Sequence, residues 1–128
     1  MESMKTAVSA YQAVQVDAAV LGASPHELIK KLLSKAIEST EEAKKLILVK
    51  DIEGKSVHIK IALTIIADGL RASLDMSAGG EIAENLDKLY GYMLQCLMTA
   101  HAQNDAAPLD EVAALLRELL SGWSAIKP

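Results

Sequence analysis

Apolar positions recur along most of the chain at intervals of three and four residues, the period of a helix with one buried face. The first such stretch opens at Ser24-Pro25-His26-Glu27. There Ser24 can accept from free backbone donors, Pro25 suits a first helical position and Glu27 can complete a capping box. Ile29, Leu33, Ala36, Thr40, Ala43 and Ile47 then form a stripe widened by Leu28 and Leu32, with Lys31, Lys35, Glu38 and Lys45 opposite, which predicts a helix over about 25–48. Lys50, Asp51 and Gly54 interrupt it. Ile52, Ile59, Leu63, Ile66, Leu70 and Leu74 make a second seam, predicting a helix over 51–76, and Gly79-Gly80 supplies permissive backbone for a tight connection. A third helix over 80–103 turns Ile82, Leu86, Leu89, Met93, Leu97 and Ala100 inward and stops near Asn104-Asp105. Pro108 opens a fourth over 108–126, with Leu109, Val112, Leu116, Leu119, Trp123 and Ile126 at helical spacing.

Helices of this length span roughly 27 to 39 Å, and the short connections between them force neighbours to run antiparallel. The expected fold is therefore all-α, an antiparallel up-and-down four-helix bundle over 24–128. Residues 1–23 read as a short N-terminal helical arm, docked or mobile, because Val8, Tyr11 and Val14 are spaced for one side of a short helix. No stretch alternates as a strand does, and there is no internal repeat.

Composition sharpens this picture. The chain has 128 residues, enough for one core, and is 51% hydrophobic with 3% aromatic residues and no Phe, so its interior must come from aliphatic side chains and Met. The net charge is −4 with both signs interspersed, which gives no positive field for phosphates, so nucleic-acid binding is disfavoured. The cluster Lys30, Lys31 and Lys35 reads as a solvated helix face. One cysteine, Cys96, suits a reducing compartment, and the opening Met1-Glu2-Ser3-Met4-Lys5 lacks the profile of a signal peptide. No apolar run approaches the ~18 residues that span a bilayer, so a cytoplasmic protein without membrane insertion is expected.

Catalytic chemistry finds little support. None of His26, His58 and His101 has a Glu three residues before it, as a carboxylate-bridged metal bundle requires, and no glycine-bounded Ser turn or Cys beside His suggests a nucleophile. No enzyme, metal or cofactor is expected. What stands out is apolar surplus. Ile61, Ile65 and Ala72 lie away from the second helix's seam and leave a narrow polar strip of Glu53, Lys60, Thr64, Asp68, Arg71 and Asp75. Tyr90, Leu94, Met98 and His101 do the same beside the third seam, with methionines that adapt to varied shapes. Such a surplus is either core covered by neighbouring helices or a groove for helix-forming partner segments, with Ile61, Ile65, Ala72, Tyr90, Leu94 and Met98 as groove candidates. A permanent self-association interface in a helical adaptor is the rival use of the same surface.

The chain resembles the flagellin-specific export chaperone family FliS. The resemblance rests on Ala10-Tyr11-Gln12 with Val14-Gln15-Val16, on Ala23-Ser24-Pro25-His26-Glu27-Leu28-Ile29, and on Ile65-Ile66 leading into Leu70-Arg71-Ala72-Ser73-Leu74-Asp75-Met76. It continues through Gly79-Gly80-Glu81-Ile82-Ala83, Asn85-Leu86, Leu89-Tyr90, Tyr92-Met93, Asn104-Asp105, Glu111-Val112, Leu115-Leu116 and Trp123. It implies a four-helix bundle with an N-terminal segment packed on it. It also implies binding of the disordered C-terminal region of flagellin in the cytoplasm, prevention of premature polymerisation and delivery to the type III export apparatus, whose gate components or regulators are further candidate partners. In that family the client wraps the bundle as separated helical pieces and the N-terminal segment shifts, which makes Val8, Tyr11, Gln12 and Val16 arm candidates. The chain departs from the pattern at Lys30-Lys31 and Ser34-Lys35, where family members tend to be more apolar or aromatic.

Overall fold

A computed structural model of the chain describes residues 24–126; Val8, Tyr11, Gln12 and Val16, expected on an N-terminal arm, lie outside them. Helix α1 runs Pro25–Leu48 and begins as its sequence demands: the Ser24 hydroxyl accepts from the Glu27 amide at 3.2 Å and Pro25 occupies the first turn. The Glu27 carboxylate sits 3.6 Å from Lys30 Nζ. Lys50 then takes a left-handed conformation (φ 62°), reversing the chain into Asp51, whose carboxylate accepts from the Gly54 amide and caps α2, Ile52–Thr64.

Helix α2 continues without interruption into a π-helical segment, Ile65–Arg71, so the second rod ends at Arg71, five residues before the expected 76. The difference has a local cause. Ala72 donates to the Ala67 carbonyl and Ser73 to the Leu70 carbonyl, closing the rod, while the Ser73 hydroxyl turns back onto the Gly69 carbonyl. Asp75 then starts the next helix by accepting from the Ser77 and Ala78 amides. Helix α3 accordingly spans Met76–Gln103, four residues earlier than expected, and the Gly79-Gly80 pair falls inside it. Gly80 bends the rod with φ 55° and ψ −133°, a conformation that only glycine adopts cheaply. Asn104 ends α3 in the left-handed region (φ 53°), Asp105 accepts from the Ala107 amide, and α4 runs Ala107–Ala125.

Long-range polar contacts set the topology. Lys44 meets Asp110 at 2.7 Å while the Trp123 indole donates to the His26 carbonyl at 2.9 Å, so α4 runs antiparallel to α1. Lys55, early in α2, meets the end of α3, and Arg71, at the end of the second rod, meets Asp87 in the first half of α3, so α3 runs antiparallel to α2. Each helix packs on the next and α4 returns to α1, giving an all-helical four-helix bundle. Its core is built from Leu28, Leu32, Leu33, Ile59, Ile66, Leu70, Met93, Leu97, Leu109, Val112 and Leu116, with Ala36, Ala43, Ala62 and Ala100 allowing close approach.

Three seam residues do not reach this core. Ile52 and Ile126 lie at helix ends and Ile82 just past the Gly80 bend, and all three are exposed. Ile65 and Tyr90 take the opposite course and are buried: the second rod is flanked by α1 and α3, and α3 by the second rod and α4, so each has a wide buried arc.

Candidate partner-binding groove

Two polar clamps hold α2 against α3. At one end the Arg71 guanidinium grips Asp87, Nε donating to Oδ1 at 2.7 Å and Nη2 to Oδ2 at 3.5 Å. Hydrogen bonding and charge from the partner hold Asp87 below the usual carboxylate range and raise Arg71 further. The guanidinium passes over Gly91, where a Cβ would stand 3.3 Å from Nη2, so the missing side chain gives it room. At the other end Lys55 is only 4% exposed, and its ammonium donates to the His101 carbonyl at 2.9 Å and to Asn104 Oδ1 at 3.0 Å. These acceptors belong to the C-terminus of α3, where the helix dipole favours a cation.

The clamps fix the register. With Arg71 beside Asp87 and Lys55 beside His101, Ile61 on α2 lies level with the Leu94–Met98 turn of α3. Positions 57, 61 and 64 of α2 and 94, 98 and 101 of α3 then lie on the same stretch of the pair, each set at α-helical spacing. Between the charged ends the pair presents an apolar centre: Val57 is 56% and Met98 61% exposed, and Ile61 and Leu94 are half-buried, the latter two packing against the core.

Of the six residues that sequence reasoning placed in a groove, Ile61, Leu94 and Met98 share this face. Ala72 is exposed beyond the Arg71 clamp. Ile65 and Tyr90 are interior residues: Ile65 has no exposed surface, and burial pushes the Tyr90 phenol up to about 12. They support the face from beneath and offer nothing to a partner. Val57 and the two clamps were missed. Gly91, a helix-interior glycine that costs about 1 kcal/mol relative to alanine, was the one signal of a close approach. Lys55 gave none, since a lysine at helical spacing ordinarily faces water.

The face carries no activated nucleophile. Among the described residues no group of His, Cys, Asp and Glu could hold a metal ion, and no helix is long and apolar enough to cross a membrane. Its chemistry is the cover of apolar side chains laid along two parallel stripes, a mode suited to an amphipathic helix.

The profile of the family described as "Flagellar protein FliS" matches residues 7–128. A "Flagellar secretion chaperone FliSB" of Pseudomonas aeruginosa is 44% identical over 126 residues, covering 98% of both chains. A "Flagellar secretion chaperone FliS" of Salmonella typhimurium is 40% identical over 94% of this chain and 90% of its own length, and its Vibrio cholerae namesake 38% identical over 98% and 91%.

Proposed function

The chain belongs to the FliS family of flagellar proteins, and on that premise we propose that it is a flagellar secretion chaperone whose client is the disordered C-terminal region of flagellin. The observation that carries this reading is the apolar centre of the α2–α3 face, Val57, Ile61, Leu94 and Met98, flanked by the two charged clamps. A client segment that folds as a helix there covers its own apolar side and that of the chaperone together. The driving force is about 25 cal/mol per Å² of apolar area, opposed by the cost of ordering a flexible tail.

Holding that region in the cytoplasm prevents premature polymerisation and assists delivery of the subunit to the type III export apparatus. The test is recovery from a flagellated cell: a tagged chain should co-purify with full-length flagellin and fail to retain flagellin lacking its C-terminal segment. Equal recovery of both would overturn the assignment of the client region.

A further inference from the structure

The second rod changes its hydrogen-bond spacing abruptly where it ends. The Ala72 amide reaches back five residues to the Ala67 carbonyl at 3.3 Å, closing the wide coil of Ile65–Arg71, while the Ser73 amide reaches back only three, to Leu70 at 3.3 Å. In an α-helix these two amides would take the carbonyls of Asp68 and Gly69. The Gly69 carbonyl is held by the Ser73 hydroxyl instead, so Ser73 satisfies with its side chain the acceptor that its own amide would claim in the α register. Wide coils of this kind occur mostly as short insertions and frequently at functional sites.

The two registers differ little in what they bury and much in where they aim Arg71. An α-helix advances about 100° per residue and a π-helix roughly 80–85°, so the segment holds back close to one residue of rotation. Leu70 falls within the buried arc either way. Arg71 does not keep its place: rewinding to the α register turns it by about a quarter of a circle, away from Asp87, which its Nε now meets at 2.7 Å. Downstream, Ala72 and residues 75–82 are exposed and nothing lies within 4 Å of where a Cβ would stand on Gly80, so the connection has room to absorb the turn. The guanidinium that would depart lies over Gly91, and Tyr90 beside it is 6% exposed.

We propose that Ile65–Arg71 is a two-register switch that gates one end of the α2–α3 face. In the π register Arg71 clamps Asp87 and that end is shut; in the α register the clamp is released and Tyr90 joins the surface that a client covers. The switch rests on the reading of this face as the client site. Tyr90 supplies the difference in affinity between the two states without which no ligand shifts such an equilibrium.

The test uses the full chain, a synthetic peptide of the cognate flagellin C-terminal segment, and the nuclear magnetic resonance signal of the Arg71 Nε proton. Bonded to Asp87 in the free chain, this proton should lose about tenfold or more of its exchange protection at peptide saturation. Deleting the exposed Asp68 removes the held-back residue, so the rod closes as α with Arg71 still on Asp87 and nothing left to release. That variant should fold and bind the peptide about three- to tenfold more weakly. Ser73→Ala removes the hydroxyl that holds the Gly69 carbonyl and should lower Arg71 protection without any peptide. A proton that stays protected in the saturated complex, or a folded deletion variant with the parent's affinity, would overturn the switch while Met98→Gln still tests the face itself. Should the deletion unfold the chain, the Arg71 signal decides. A peptide that fails to bind the unaltered chain would overturn the chaperone reading, and unchanged Arg71 protection in free Ser73→Ala would then overturn the switch on its own.

Discussion

Replacing Met98 by glutamine keeps the length and helix propensity of the side chain and removes its affinity for apolar surface, so it isolates what the α2–α3 face contributes to binding. Met98 leaves 61% of its surface exposed. That is on the order of 120 Å², and at about 25 cal/mol per Å² complete cover by a client would contribute up to about 3 kcal/mol. Incomplete cover and rotamer ordering reduce this to about 1–2 kcal/mol, so the dissociation constant should rise about 5- to 30-fold. Fluorescence anisotropy with a labelled flagellin C-terminal peptide measures the change, and urea unfolding should place the variant within about 0.5 kcal/mol of the parent, as expected at an exposed position. Ile65→Ala is the informative contrast. Ile65 is fully buried, so its truncation should cost about 2–5 kcal/mol of stability wherever the client binds. A folded Met98→Gln chain with unchanged affinity would refute the placement of the client on this face.

Three further outcomes probe the scaffold. Lys55→Met should lower stability by about 1–3 kcal/mol at an unchanged urea m-value, because two acceptors at the end of α3 lose a charged donor in a buried setting. Gly80→Ala should cost about 1–2 kcal/mol on thermal unfolding, since φ 55° strains any L side chain. Burial raises the Tyr90 phenol from its ordinary 10 to about 12; its contribution is intact below pH 10 and declines as the unfolded chain ionises first, by on the order of 1 kcal/mol at pH 11. Tyr90→Phe should therefore flatten the alkaline fall in stability, and an unchanged fall between pH 10 and 12 would assign it to other groups.

Much of the bundle is readable from the chain because its starts are written in local chemistry. Ser24-Pro25 opens α1 and Asn104-Asp105 closes α3 in the structure as in the sequence. The end of the second rod is not readable: Leu74 and Met76 continue an apolar period through a segment that the Asp75 cap assigns to the next helix. The π-helical hydrogen bonding of Ile65–Arg71 also leaves no trace in periodicity. Exposure of the groove candidates was half legible for a related reason. Spacing reports that α2 and α3 are apolar on more than one side, and Ile61, Leu94 and Met98 do keep exposed surface. It could not tell that Ile65 and Tyr90 face inward, because that depends on which neighbours flank the helix. Lys55 and the Arg71–Asp87 pair join positions distant in sequence, and only the fold brings them together.

Isothermal titration over a range of temperatures, with flagellin and with flagellin lacking its C-terminal segment, tests the central claim most directly. Cover of the apolar face by a segment that folds as it binds predicts saturable heats with a negative heat-capacity change for the intact subunit and no binding heat for the shortened one. Equal heats for both, or binding without a heat-capacity change, would contradict it.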